Sequence, residues 1–189
     1  MDAEQEIAVL ARVYGEPARA AFEFTVQSDG FTVWLRRLTQ RRGEIVLVVP
    51  RGHGRVLLHR KPHYPENVYR LPTGGVEKGE AVADAAQREF YEELGFQPQS
   101  LRLLGVLDNV FVLPNERLVY PSFVLRTEEY TQPPTPMDLD EQISGFSDAD
   151  VMELRAAAHY LASLPGPWRE WGQFRAAAHQ WLVKELTKV

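Results

Sequence analysis

Three carboxylates, Glu89, Glu92 and Glu93, fall within five residues in the run Arg88-Glu89-Phe90-Tyr91-Glu92-Glu93. On a helix they occupy positions i, i+3 and i+4 and share one face, where like charges repel. Hard divalent cations take oxygen ligands, and Mg²⁺ is commonly held by one or two carboxylates together with substrate phosphates. A cation between the acids turns their repulsion into affinity. Arg88 stands i, i+4 to Glu92 and can hold that acid by an ion pair. Upstream, Gly74, Gly75 and Gly79 allow a tight loop that brings backbone groups close to the same ion or phosphate. Glu80 precedes the helix, where an acid suits the helix dipole. An acidic helix face by itself is usually just a solvated surface; the glycine-rich loop before it shifts the weight towards a cation site.

The elements that must position these groups can be read from pattern. Ala81–Leu94 has no Gly or Pro and many helix formers, and Gly95 stands where a left-handed cap ends a helix. Ala83, Ala86, Phe90 and Leu94 form an apolar stripe beside the acids, so one flank packs on a sheet while the acids face outward. Ile45–Val49 (IVLVV) is a continuous β-branched run, as in a strand buried on both faces. Arg55–His59 returns from the turn at Pro50–Gly54, and Leu101–Leu113 and Leu118–Arg126 are strand-rich. Tyr69-Arg70-Leu71 reads as a short strand, and Pro72–Gly75 as irregular. At the N-terminus, Ala3–Arg12 reads as a short helix, and FEFTVQ and FTVWL read as two strands around Ser28-Asp29-Gly30. Helices are expected over Ala149–Leu164 and Trp168–Lys188, with a proline-rich loop at Thr131–Pro136. This order of elements indicates α+β, a mixed sheet with helices on its faces. Three segments follow: an N-terminal extension with a β-hairpin (1–44), a central domain (45–164), and a C-terminal helix packed on it (165–189).

The chain of 189 residues can bury a real core. Its net charge of −5 argues against a nucleic-acid-binding surface on the scale of the molecule. It has no cysteine, which excludes disulfides, thiolate nucleophiles and Cys-based zinc sites and favours the cytoplasm. The first residues, acidic, carry no signal pattern, and the longest apolar run, Ile45–Pro50, is too short to span a bilayer.

The stretch Gly74–Phe96 matches the Nudix box, G-x5-E-x7-R-E-U-x-E-E-x-G-U with U a bulky apolar residue, at Gly74, Glu80, Arg88, Glu89, Phe90, Glu92, Glu93, Gly95 and Phe96. All seven single-residue positions are satisfied, and a chance match is on the order of one in a million. The chain therefore resembles the Nudix hydrolases. Phe stands at both U positions, where an aliphatic residue is more usual, so altered packing is expected there. A weaker likeness extends from about Ile45 to Leu154, through Glu141-Gln142-Ile143 and Phe146 before a helix.

The resemblance implies an α/β/α sandwich with a mixed sheet, and hydrolysis of the pyrophosphate bond of a nucleoside diphosphate linked to another moiety, dependent on Mg²⁺ or Mn²⁺. Carried over by position, Glu89, Glu92 and Glu93 are the expected metal ligands, with the backbone carbonyl of Thr73 a further one. Arg88 and Glu80 would fix the loop to the helix. The general base is left between Glu89 and a carboxylate of a later loop, with Glu141 the candidate and Glu128 and Glu129 behind it. Gly74 and Gly75 would approach the substrate. Among the basic residues before the box (Arg51, His53, Arg55, His59, Arg60, Lys61, His63 and Arg70), Arg60 and Arg70 are the expected phosphate contacts. His53, between two glycines, reads as a turn residue.

In ADP-ribose pyrophosphatases of this family a proline follows the box, and in diadenosine polyphosphate hydrolases a tyrosine. In DNVFVLPNERLVYP, Pro114 and Tyr120 both come late, so neither marker is clean. The N-terminal extension is similar to that of the ADP-ribose group, in which an extra sheet often joins two subunits; ADP-ribose or a nucleotide sugar, and a homodimer, are the expected substrate class and state. The partner is then a small nucleotide, with neither nucleic acid nor membrane. Two alternatives stay open on the same fold, a non-catalytic nucleotide sensor and an isomerase, and the intact box favours the hydrolase over both. In the tail, Trp168, Trp171, Phe174, Trp181 and Leu182 are expected to pack on the core or a partner rather than stack on bases, with His159 and His179 on helix surfaces.

Overall fold

A computed structural model describes residues 3–188; Met1, Asp2 and Val189, the outermost ends of the terminal segments, lie outside them. Twelve elements of regular structure follow in order: α1 (Ala3–Tyr14), β1 (Ala18–Thr25), α2 (Asp29–Leu38), β2 (Gly43–Val48), β3 (Val56–Arg60), β4 (Thr73–Val76), α3 (Val82–Leu94), β5 (Leu101–Leu113), β6 (Glu116–Thr127), β7 (Gly145–Ala149), α4 (Val151–Ala162) and α5 (Arg169–Leu186), with short 3-10 turns at Leu139–Glu141 and Gly166–Trp168.

Five strands form one mixed sheet in the order β1-β5-β6-β2-β4. The β1–β5 and β2–β6 pairs are parallel, and the β5–β6 and β2–β4 pairs are antiparallel. β3 and β7 make a separate antiparallel pair. β2 shows why the layers form. Every residue of it is buried, and alternate side chains face opposite ways. Ile45, Leu47 and Val49 pack with Val82, Ala85, Ala86, Phe90 and Leu94 of α3 and with Ile7 and Leu10 of α1. Val46 and Val48 pack with Leu154 of α4 and with Trp181, Leu182 and Val183 of α5. The sheet is thus sandwiched between helices, the α/β/α arrangement expected.

Several local readings need correction. Phe31–Leu35 is helical, so the two-strand N-terminal hairpin does not form. Phe31, Trp34, Leu35 and Leu38 lie at i, i+3, i+4 and i+7, a helical stripe, and the Ser28 hydroxyl caps the helix by accepting from the Phe31 N–H at 3.2 Å. The aromatic and β-branched content of FTVWL imitated a strand. β1 instead adds to the main sheet alongside β5. Thr73–Val76 is not irregular: it pairs with β2, Gly74 opposite Ile45 and Gly75 opposite Glu44. Tyr69–Leu71 contributes only a single bridge, Arg70 to His59. Gly145–Ala149, which carries no strand pattern, is a strand because the edge of β3 requires a partner.

α3 begins at Ala81, which offers no capping side chain. The cap comes from α1: Glu6 accepts from the Val82 N–H at 3.2 Å and from Arg42 through both nitrogens, at 2.5 and 2.8 Å. The helix ends at Gly95 with φ +76°, where a Cβ would also lie 2.3 Å from the Thr135 carbonyl oxygen, so two constraints demand glycine. The unusual Phe96 after it stacks on Tyr130 at 3.8 Å with the rings 8° from parallel.

His179 is buried inside α5 rather than on its surface. Its Nε2 accepts from the Leu71 N–H at 3.0 Å, and its Nδ1 donates to the Arg175 carbonyl at 2.9 Å. Burial pulls its pKa from 6.5 down to about 3. In the unfolded chain the ring takes a proton near its ordinary value; in the folded protein it stays neutral. The unfolded state therefore binds more protons between these limits, and stability is complete above pH about 6.5 and falls as the pH drops below it, by up to about 1.4 kcal/mol per pH unit for this group. His179→Gln, which keeps an acceptor for Leu71, should gain in urea midpoint relative to the wild type as the pH falls from 6.5 to 4, with the difference between the two constant above pH 7.

Candidate active site

Arg88 joins the loop before α3 to the acids on it. Its Nε and Nη2 donate to the two Glu80 oxygens at 2.9 and 3.1 Å, and Nη2 also donates to the Gly75 carbonyl at 2.9 Å. Nη1 donates to Glu89 at 2.7 Å and to Glu92 at 2.9 Å. The hydrogen bonds from Arg88 hold Glu80 below its ordinary pKa, and those to Glu80 foremost raise that of Arg88. Gly74 makes the close approach possible: a Cβ there would lie 1.8 Å from the Glu89 carboxyl carbon.

The three acids are not equally exposed. Glu92 is half-buried, Glu89 is 5% exposed and Glu93 is fully buried at 0%. The outward-facing acidic flank expected from the helical wheel is therefore corrected. α3 buries Val82, Ala85, Ala86, Glu89, Phe90, Glu93 and Leu94, so two acids sit within the packed face. Burial raises the pKa of Glu89 against the opposing charge of Arg88, and raises that of Glu93 to about 8 against Lys61 and Arg70. Neither Glu93 oxygen accepts a hydrogen bond from any described residue. Its neighbours are Lys61 Nζ at 3.7 Å and His59 Nδ1 at 3.9 Å. His59 is itself buried, and burial followed by the charges of Arg70 and Lys61 keeps it far below its usual pKa, hence neutral.

Of these three acids Glu89 lines a cavity of about 220 Å³. Gly74, Gly75 and Glu89 line one side. Lys61, Arg70 and Arg175 bring positive charge to it, and Glu141 enters from the 3-10 turn at 139–141. Lys61 pairs with Glu141. Arg70 is buried and fixed by Tyr64 Oη at Nε (2.8 Å) and by the Leu71 carbonyl and Thr73 Oγ1 at Nη1 (2.9 and 2.8 Å). Arg175 reaches in from α5 and pairs with buried Glu44 at 2.7 Å, whose other oxygen accepts from Ser122 at 2.8 Å.

Of the residues singled out by sequence, Gly74, Gly75, Thr73, Glu89, Arg70 and Glu141 all line this cavity, and Arg88 ties Glu92 to Glu89 beside it. Arg60 does not line it; its guanidinium lies over Tyr69 at 5.7 Å. Glu128 is engaged elsewhere, accepting from the Gln99 and Ser100 N–H groups at 2.8 and 2.9 Å, and Glu129 lies against Gly52. Arg51 clamps Asp148 and the carbonyls of Tyr130 and Gln132. Sequence reading missed Arg41, Glu44 and Arg175, because only the tertiary fold brings the turn after α2, strand β2 and helix α5 to one cavity. The one available signal for Arg175 was a cation among the apolar positions of the tail helix.

A divalent cation suits this donor set. Glu93 presents two unpartnered oxygens at zero exposure, a costly arrangement unless a positive charge satisfies it. Glu89 and Glu92 add hard oxygen donors, and Thr73 a carbonyl. Among the described residues no three acids or histidines already converge as a metal cage, since Arg88 stands between Glu89 and Glu92.

A NUDIX domain model matches residues 39–172. An NAD-capped RNA hydrolase, NudC, of Haemophilus influenzae is 38% identical over 77 residues, 40% of this chain and 28% of that protein. An RNA pyrophosphohydrolase of Baumannia cicadellinicola is 35% identical over 63 residues, 33% of this chain and 38% of that protein. The chain thus aligns with well under half the length of these curated relatives. Among solved structures, a MutT NUDIX hydrolase from Burkholderia pseudomallei aligns with a TM-score of 0.54 at 23% identity, covering 77% of this chain and 98% of that one; at that identity the likeness concerns the fold.

Removing the Arg88 guanidinium leaves Glu80, Glu89 and Glu92 without their common counter-charge. Arg88→Ala should cost about 2 kcal/mol in urea denaturation at pH 7. Arg88→Lys should recover only part of it, because one ammonium cannot span Gly75, Glu80 and two further acids.

Proposed function

This chain belongs to the Nudix family, and from that premise we propose that it hydrolyses the pyrophosphate bond of a nucleoside diphosphate linked to another moiety. The observation that carries the reading is a single cavity lined by the carboxylates Glu44, Glu89 and Glu141 together with Arg41, Lys61, Arg70 and Arg175. A diphosphate brought together with divalent cations needs both signs of charge at once.

In this reading Glu89, Glu92 and Glu93 hold Mg²⁺ or Mn²⁺, assisted by the Thr73 carbonyl. A bound divalent ion supplies charge neutralisation and Lewis-acid activation of water. Arg70, its guanidinium oriented by Tyr64, Leu71 and Thr73, binds phosphate oxygens, and Lys61 adds a second positive charge. Glu141 is the general base we favour: it lines the cavity with Glu89, and its pairing with Lys61 holds the carboxylate in place. Glu89 is the alternative. Arg88 and Glu80 keep the Gly74–Glu80 loop against α3, so that Gly74 and Gly75 stay close to the phosphates.

For the substrate, ADP-ribose or a nucleotide sugar is favoured. The NAD-capped RNA hydrolase and the RNA pyrophosphohydrolase among the relatives extend the candidates to NAD, NAD-capped RNA and RNA that carries a phosphoanhydride. The organisation proposed is a catalytic region at 45–164 flanked by segments 1–44 and 165–189, both of which contribute to the cavity wall, through Trp34, Leu38 and Arg41 and through Arg175.

A panel of ADP-ribose, NAD, nucleotide sugars, 5′-triphosphate RNA and NAD-capped RNA, each with Mg²⁺ or Mn²⁺, should yield AMP and ribose 5-phosphate from ADP-ribose. Absence of product from every compound would sink the reading. Glu92→Gln and Glu93→Gln should each lower turnover by at least about 100-fold. Glu93→Gln should also leave the melting temperature unchanged or higher, since it removes a buried carboxyl whose oxygens accept no hydrogen bond; full activity in both variants would reject the metal-ligand assignment.

A further inference from the structure

A second cavity, of about 500 Å³, opens beside the first and has a different character. Phe31 and Trp34 of α2 face it with His63 and Tyr64 of the loop after β3 and with Trp168 and Trp171 at the start of α5. Neither an acidic side chain nor a lysine or arginine lines it. The rings are mutually organised: Phe31 and Trp34 stack at 5.1 Å, Tyr64 and Trp171 lie 5.1 Å apart, and Trp168 meets Trp171 edge-on at 5.2 Å. This is a built recess. Glu170 of α5 accepts from the Gln27 N–H at 2.5 Å, the Ser28 N–H at 3.2 Å and the Ser28 hydroxyl, and so locks the start of α2 to the start of α5.

The two cavities share a wall. Trp34 lines both. Tyr64 lines the aromatic one and holds Arg70 of the other through its hydroxyl at 2.8 Å. Arg175 of the polar cavity lies over the Trp34 ring at 5.7 Å. An occupant of both would carry negative charge at one end and a flat, uncharged, polarisable group at the other.

We propose, building on the pyrophosphohydrolase reading above, that the aromatic cavity takes the nucleobase of the substrate against Trp34 and Trp168, while the phosphates lie at Lys61, Arg70 and Arg175. Aromatic rings offer every base a π-face, and stacking tolerates different bases, so this cavity selects for a nucleotide end without imposing one base. The tail tryptophans then have a role besides packing.

The test uses binding to the full chain without metal, so that it does not depend on turnover. AMP and ribose 5-phosphate share the phosphate and ribose and differ in the base. Calorimetry should give AMP an affinity at least about ten-fold tighter than ribose 5-phosphate, with AMP quenching tryptophan emission. Trp168→Leu, at a half-buried position, should abolish that advantage while leaving ribose 5-phosphate binding and the far-ultraviolet circular dichroism unchanged, and Trp34→Leu, whose ring lines both cavities, should abolish the advantage as well. Equal affinities in the wild type, an advantage that survives both substitutions, or a dimer that Trp168→Leu dissociates would each overturn the proposal. A protein that hydrolyses ADP-ribose yet shows no base advantage rejects the aromatic site alone. One that shows the advantage but no hydrolysis rejects the catalytic reading alone.

Discussion

The arrangement of the polar cavity depends on one guanidinium. Arg88 lies where a glycine loop, the acid before the helix and two acids on the helix meet, and it bonds to all four. Without it the loop would lose its side-chain tie to α3, and Glu89 and Glu92 would lose their shared counter-charge. Its reach explains the spacing of the sequence motif. Glu80 stands two positions before the helix begins at Val82, Glu92 lies one turn beyond the arginine at i+4, and Glu89 is the next residue in the chain. Gly74 must lack a side chain because Glu89 occupies the space in which one would stand. The glycines and charges around the loop are therefore parts of one contact.

A second constraint acts from the far end of the chain. α5 sends three polar groups into the interior: Glu170 to the start of α2, Arg175 to Glu44 on β2, and His179 to the backbone of Leu71. Buried polar groups are tolerated where their partners are in place, and here those partners lie on elements that shape the two cavities. The helix fixes position as well as supplying apolar surface.

The fold was legible where local pattern and tertiary environment agree. Ile45–Val49 reads as a doubly buried strand and is one. Ala81–Leu94 reads as a helix ended by Gly95, and Leu101–Leu113 as a long strand. Legibility failed where the environment decides. FTVWL has strand-like residues, but its spacing and the Ser28 cap favour a helix. Thr73–Val76 has glycines that suggest a loop, yet β2 supplies hydrogen-bond partners. At the site, a motif of fixed spacing brought Gly74, Arg88, Glu89 and Glu92 together on the page before any coordinates. It could not disclose that Glu89 and Glu93 are buried, because a helical wheel locates a residue on a face without saying what covers that face. Arg41, Glu44 and Arg175 were invisible for a simpler reason: no local pattern relates Arg41 and Glu44 to the glycine loop further along the chain, or Glu44 to Arg175, 131 positions away.

The clamp between Glu170 and Ser28 spans 142 positions, and this separation carries a consequence for biogenesis. Translation delivers α2 early and α5 late. Until α5 emerges, the rings of Phe31 and Trp34 have no opposing wall, Glu44 has no arginine, and the Leu71 N–H has no histidine. Before α5 is made, the aromatic face of α2 and the Glu44 carboxylate have none of the α5 partners they have in the folded protein. A chain that stops short of Trp168 and α5 possesses the whole acidic helix yet lacks Arg175 in the wall of the polar cavity and Trp168 and Trp171 in that of the aromatic one.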